Sequence, residues 1–334
     1  MKVDEKKIIH RDSSQVRTKL AFDSNAKESS QRDAYASEIV SMADEHPNLV
    51  LIDADLMTVG KTHVFREKYP NRHIQIGIAE QNMMGIAAGL AQMGKLPIAH
   101  SLAVFGIGRT FDQIRESICY SELNVKIVGY HAGLTLAPDG ATHQTMEDIA
   151  LMTSLPNMSV VAPADAQQTI DLLPQILKND TPTYLRLLFP NIPKTIKPGT
   201  SVYGKSQILN EGSDITIIAN GQLVAKCVQA AKHLKKEQNI SVELINIHTI
   251  KPYDFETVNK SLQKTGIGLV VEEHNSYGGI GSIVSFHSAL ECPTKIEYLN
   301  TNDKFGTTGL PEELLEAYGL SESSIIKKVE DLIK

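Results

Sequence analysis

The sequence has no tryptophan and only three cysteines among its 334 residues. Cys119, Cys227 and Cys292 are odd in number and widely spaced, so they fit neither a disulfide framework nor a metal ligand set, and a reducing cytoplasm is the default setting. No apolar run approaches membrane-spanning length, and the opening "MKVDEKKIIHRDSSQ" lacks the apolar core of a signal peptide, so no membrane association is expected. Positive charge is not in excess: the formal net charge is −6, and no nucleic acid is expected as a partner. A GxxxxGK[ST] phosphate loop, a GxGxxG after a strand, HExxH and CxxC are all missing. Any phosphate must then be held by a few local groups, and no metal site built by this chain alone is expected. "YGGIGS" (277–282) is rich in glycine, but a tight turn before a helix explains it equally well. "GDG" occurs nowhere. Aromatics make up only 5% of residues, so each Phe or Tyr near a suspected site carries extra information.

What is present reads as a globular protein of two ordinary domains, with 42% hydrophobic and 22% charged residues. Residues 1–27 are polar and without sustained periodicity, an N-terminal arm. From Gln31 helix and strand alternate: "RDAYASEIVSMADEHP" is helical, "NLVLIDADL" a strand, "HIQIGIA" a strand, "LPIAHSLAVF" extended, "RTFDQIRESICYSEL" helical and "VKIVGYHAG" a strand. "SVVAPADAQQTIDLLPQIL" and "PTYLRLLF" complete a first unit over 28–190. The proline-rich stretch 191–203 reads as a linker, and "DITIIANG", "SVELINIHTIKP", "GIGLVVEEHN" and "KIEYLN" mark a second unit over 204–334. Apolar strands separated by helices predict two α/β domains, each a mostly parallel sheet flanked by helices, with ligands at the carboxyl ends of the strands.

One stretch stands out. In "IQIGIAEQNMMGIAAGLAQMG" (74–94) a carboxylate, Glu80, sits between an apolar strand and a helix whose Met83, Ile86, Ala87 and Leu90 recur at helical spacing. By periodicity alone Glu80 is a first-turn glutamate facing the helix dipole. Three further stretches give it another meaning: "FDQIRESI", "HAGLTLAPDGATHQTMEDIALM" and "DKFGTTGLPEELLEAYGL".

Together, and in this order, the four stretches resemble the C-terminal half of a transketolase, over residues 28–334. The resemblance implies a pyrimidine-binding domain followed by a transketolase C-terminal domain. The family's preceding domain, whose GDG motif holds Mg2+ and the diphosphate of thiamine diphosphate, is not in this sequence. The chain therefore resembles one subunit of a split transketolase, inactive alone, with an N-terminal-half partner carrying GDG in an α2β2 heterotetramer. In the family the glutamate of "AEQN" hydrogen-bonds the aminopyrimidine of the cofactor, and Glu80 is the matching residue. A group there must give and recover a proton; burial favours the neutral acid, a helix N-terminus the anion, and desolvation is expected to win where the site closes over cofactor.

Phe105 falls where the family stacks an aromatic on the pyrimidine, and Leu102 stands where it usually has a second Phe, so one cofactor wall is apolar without a stacking face. His131, Asp139 and His143 fall on positions that face substrate, with His131 and His143 matching catalytic roles. Histidine suits a proton shuttle or a donor to ketose hydroxyls, and a carboxylate can read hydroxyl configuration. Taken alone, Asp139-Gly140 is an ordinary turn pair. Arg109, Asp112 and Arg115 lie at helical spacing and read as interface or ion-pair residues.

The chain departs from the family where a sugar phosphate is held. Arg32 matches the first phosphate arginine, but Phe189 stands at the second, in "TYLRLLFP", and Val59 aligns with the expected serine. Arg186 matches an earlier, structural arginine, and Lys61 is a cation in the Val59 loop. Phe offers no charge-assisted fork. The expected reaction is therefore transfer of a two-carbon ketol unit from a ketose to an aldehyde, with an atypical or non-phosphorylated sugar as one substrate. Three alternatives stay open: the beta subunit of a 2-oxo acid dehydrogenase, a 1-deoxyxylulose 5-phosphate synthase-like enzyme, and a non-catalytic scaffold subunit.

Overall fold

A computed structural model describes residues 27–334; all of the N-terminal arm except Lys27 lies outside the described residues. Strands in chain order are β1 (Glu28–Ser29), β2 (Leu49–Asp53), β3 (His73–Gln75), β4 (Leu96–Leu102), β5 (Lys126–Tyr130), β6 (Ser159–Val161) and β7 (Thr183–Arg186). They continue with β8 (Ile192–Pro193), β9 (Gln207–Asn210), β10 (Ile215–Ala219), β11 (Val242–Asn246), β12 (Thr249–Lys251), β13 (Ile267–Val271) and β14 (Lys295–Leu299). Two α/β domains result, as the unbroken apolar runs predict. One sheet has seven strands in the order β12-β6-β7-β5-β4-β2-β3; the other has five, β14-β13-β10-β11-β9. Within these two sheets all pairs are parallel except those of β12 and β9. Every residue of β2, β4, β5 and β10 is buried, because helices cover both faces.

β12 lies beyond β11 in sequence yet pairs with β6, so a segment from the second half of the chain completes the first sheet. The proline-rich stretch is also held: β8 pairs with β1, and the Asp165 carboxylate accepts from Thr195 N at 2.6 Å and Ile196 N at 2.9 Å. Asp165 simultaneously caps the helix Ala166–Lys178 through Gln168 N.

Two expected strands are shorter than the sequence suggests. The ladder of β3 ends at Gln75, where Ile76 N turns to Asp53 O and Gly77 adopts φ +73°, a left-handed value that glycine tolerates. After Leu102 the chain becomes helical instead of extended, and Val104–Arg109 forms a π-helix. That turn is tight enough that a Cβ on Gly106 would lie 2.9 Å from Ser101 Cβ. Among the described residues no helix is long and apolar enough to cross a membrane. All three cysteines are free and buried.

Candidate functional site

The segments that carry the expected site residues follow the carboxyl ends of parallel strands: Val59 after β2, Glu80 after β3, Phe105 after β4, His131 after β5 and Phe189 after β7. Glu80 is the first residue of the helix Glu80–Gln92, and its N-cap Ala79 has no side chain with which to cap it. The helix buries Met83, Met84 and Ala87 against the sheet, which fixes its start over the strand ends.

Glu80 is only 3% exposed, and its Oε2 accepts a hydrogen bond from Arg109 Nη1 at 2.7 Å. The Arg109 side chain is 46% exposed. Its guanidinium lies over the Phe105 ring, 4.7 Å from the centroid, and His143 meets that ring edge-on at 5.2 Å. Phe105 and Arg109 share the π-helical segment, a geometry frequent at functional sites. Residues from three separate stretches of the sequence thus form one contact chain, Glu80–Arg109–Phe105–His143. The ion-pair reading of Arg109 agrees with this; that its partner is Glu80 was not visible in the sequence.

A second cluster forms around Phe189. His131 touches its ring edge-on at 4.9 Å, and the Arg32 guanidinium lies 5.4 Å from its centroid. Arg32 Nη1 donates to Val59 O at 2.9 Å and Nη2 to Phe189 O at 3.4 Å. Neighbouring Gln31, fully buried, bonds Pro163 O and Leu188 N, which locks the start of its helix beside β7. His131 has φ +57°, is 6% exposed, and its Nε2 has no hydrogen-bond partner among the described residues. Burial, with the nearby Arg32 charge, pushes the His131 ring down to about 3. It is therefore neutral near pH 7, able to exchange a hydrogen bond with a hydroxyl but not poised to carry a proton there.

Asp139 is exposed, in the short turn Ala137–Asp139. Leu102 is buried at the end of β4, in the apolar cluster against which Phe105 packs. Lys61 lines a surface cavity with Asp33, Ser37 and His63.

Sequence reasoning missed the groups that brace the site. Glu273, two residues past β13, accepts from Thr135 N at 2.6 Å, Thr135 Oγ1 at 2.8 Å and Gln222 Nε2 at 2.7 Å. It thereby ties the 131–147 loop to the second domain, and Gly133 passes so close that a Cβ would lie 2.6 Å from Glu273 Cδ. Buried Asp148 accepts from Arg186 Nε and Tyr184 Oη, both at 2.7 Å. Burial alone would raise the Asp148 carboxyl, but the Arg186 charge and hydrogen bond, with His274 and Tyr184, hold it below its ordinary value. Gln144 Nε2 donates to Thr307 O, seating the late "DKFGTTGL" stretch on the same loop. Behind Val59, Asp53 Oδ2 accepts from Thr62 Oγ1 at 2.5 Å and meets His73 Nε2 at 3.0 Å, clasping both ends of the 54–62 loop. The available signal was a carboxylate at the end of an apolar run, in "VLIDADL" and "LVVEEHN" as in the Glu80 stretch.

Chemically, the first cluster offers a buried carboxylate acceptor beside an aromatic face. A flat ring bearing N–H donors fits both, and the planar guanidinium of Arg109 already makes one contact of each kind. Among the described residues no group of three His, Cys, Asp or Glu side chains could hold a metal ion.

Comparison with known proteins gives two family matches: the transketolase pyrimidine-binding domain over residues 27–194 and the transketolase C-terminal domain over 204–325. The 6-deoxy-6-sulfo-D-fructose transketolase subunit SqwH of Clostridium sp. (strain MSTE9) is 38% identical, over 93% of this chain and 97% of that protein. A subunit of the apulose-4-phosphate transketolase of Phocaeicola vulgatus is 32% identical, over 91% of this chain and 97% of that protein. Among solved structures, a split-gene transketolase described as an inactive beta4 tetramer superposes with a TM-score of 0.84 at 41% identity, covering 90% of this chain and 97% of the other.

Proposed function

The chain belongs to the transketolase family as a subunit of a split, thiamine diphosphate-dependent enzyme, and on that premise we propose that it supplies the pyrimidine side of a site that moves a two-carbon ketol unit from a ketose to an aldehyde. The observation that carries this reading is the meeting of buried Glu80 with the Phe105 face. Thiamine diphosphate, when bound, supplies the carbon nucleophile that opens the C2–C3 bond of a ketose. Glu80, itself almost fully buried, holds or releases the proton on the pyrimidine ring nitrogen. Phe105 orients the ring by stacking and supplies apolar contact, with Leu102 behind it as part of the wall. Neutral His131 presents Nε2 to a substrate hydroxyl, and His143 and Asp139 meet hydroxyls from the neighbouring loop. The partner subunit carries the GDG motif, Mg2+ and the diphosphate, in an assembly of two copies of each chain.

The distal end of the substrate is read by Arg32 beside Phe189. With an apolar ring where a second guanidinium would hold a phosphate, an ordinary pentose or hexose phosphate loses a charge-assisted fork. An unphosphorylated sugar, or one whose tail carries a different anion, suits this end better. The names of the two relatives, one a sulfosugar and one an apulose phosphate enzyme, support a substrate outside the common pentose phosphates. The test is ketol transfer by the chain reconstituted with its partner. We expect turnover with 6-deoxy-6-sulfofructose or an unphosphorylated ketose that Glu80→Ala abolishes. Undiminished turnover by Glu80→Ala would favour a scaffold role, and efficient use of micromolar xylulose 5-phosphate would overturn the substrate assignment.

A further inference from the structure

Arg109 makes the two contacts that the coenzyme ring needs. Its Nη1 donates to Glu80 Oε2 at 2.7 Å, and its plane covers the Phe105 face at 4.7 Å. A flat N–H-bearing ring cannot stack on that face and bond that carboxylate oxygen while the guanidinium does both. We propose that Arg109 is a placeholder: it satisfies the buried Glu80 carboxylate and covers Phe105 before the coenzyme arrives, and swings away from both as the aminopyrimidine enters.

The structure gives the exchange its physical basis. A buried carboxylate with no partner is costly, so a coenzyme-free site needs a counter-group. Glu80 is 3% exposed, whereas the arginine is 46% exposed and has no other hydrogen-bond partner among the described residues. Its release therefore breaks one ion pair and one ring contact and nothing deeper. It sits on the π-helical segment beside Phe105, so a side-chain rotation clears the ring face without moving the sheet. The inference rests on the coenzyme reading above and assigns Arg109 a positioning role that the reading did not include.

Because the contact exists only in the coenzyme-free state, removing it should strengthen coenzyme binding. Thiamine diphosphate, with Mg2+, is titrated calorimetrically into the reconstituted two-subunit complex carrying Arg109, Arg109→Ala or Arg109→Met. Arg109→Met keeps the apolar stem, should Arg109→Ala not assemble. The expected result is affinity about fivefold tighter in the variants, the size of one partly exposed ion pair. The coenzyme-free complex should unfold at lower temperature than the unsubstituted one, because Glu80 has lost its counter-charge. Unchanged or weaker binding by the variants would overturn the placeholder role, since an arginine retained beside the ring would add to affinity. Failure of the unsubstituted complex to bind thiamine diphosphate at all would instead overturn the coenzyme reading, and this inference with it.

Discussion

Acidification from about pH 7.5 to about pH 5 should destabilise the folded chain through His131. The ring's ordinary value is 6.5, and burial with the Arg32 charge pushes it down to about 3 in the fold. Between those values the unfolded chain binds a proton that the folded chain refuses. Stability from this group is therefore complete above pH 6.5 and falls as pH drops toward 3. At pH 5, about 1.5 units below the unfolded value, the loss is about 2 kcal/mol at 1.36 kcal/mol per unit. Other groups among the described residues act in the same range: burial also pushes His248 down to about 3, and lowers His100 and His274, all with the same sign, while burial raises Glu273 with the opposite sign. Burial pushes Glu272 up to about 7, so the fold takes that proton first and gains stability as pH falls through 7. Subtracting a His131→Gln variant isolates the one ring. Urea unfolding of both proteins, at one protein concentration and both pH values, should show the unsubstituted chain losing about 2 kcal/mol more, roughly 0.7–1 M in midpoint. Parallel pH dependence in the two proteins would refute the claim that this ring is held neutral.

Asp148→Ala leaves the buried Arg186 guanidinium without its carboxylate and should cost about 3–5 kcal/mol, read as a large fall in unfolding temperature. A loss under about 1 kcal/mol would show that the pair does not brace the loop. Phe189→Arg restores a second guanidinium beside Arg32 and should lower KM for xylulose 5-phosphate roughly tenfold in the reconstituted enzyme. An unchanged KM would move the distal subsite elsewhere.

The fold was legible where burial dominates. Strands such as "LVLID" and "ITIIA" are buried throughout, so their unbroken apolar runs predict a covered parallel sheet. Glu80 was legible for the complementary reason: a carboxylate between apolar runs is conspicuous because burial makes it expensive. Less visible was whatever depends on partners distant in sequence. The pairing of β12 with β6 joins residues 249–251 to 160–161 and has no local periodicity. The helical conformation after Leu102 depends on a close approach of Gly106 to Ser101, which "SLAVFG" does not announce. Arg109 and Glu80 are separated by 29 residues, and Glu273 by 138 from Thr135, so neither contact could be read from spacing. Phe189 was singled out as a departure from a family pattern; that it contacts both Arg32 and His131 is a property of the fold.

The proposed mechanism stands or falls on the buried Glu80 carboxyl and the Phe105 face receiving the coenzyme's aminopyrimidine. A crystal structure of the reconstituted two-subunit complex with thiamine diphosphate would show whether they do. The expected result is a ring stacked on Phe105, Glu80 within hydrogen-bonding distance of a ring nitrogen, and Arg109 displaced from both. A ring lying away from Glu80 would contradict the mechanism.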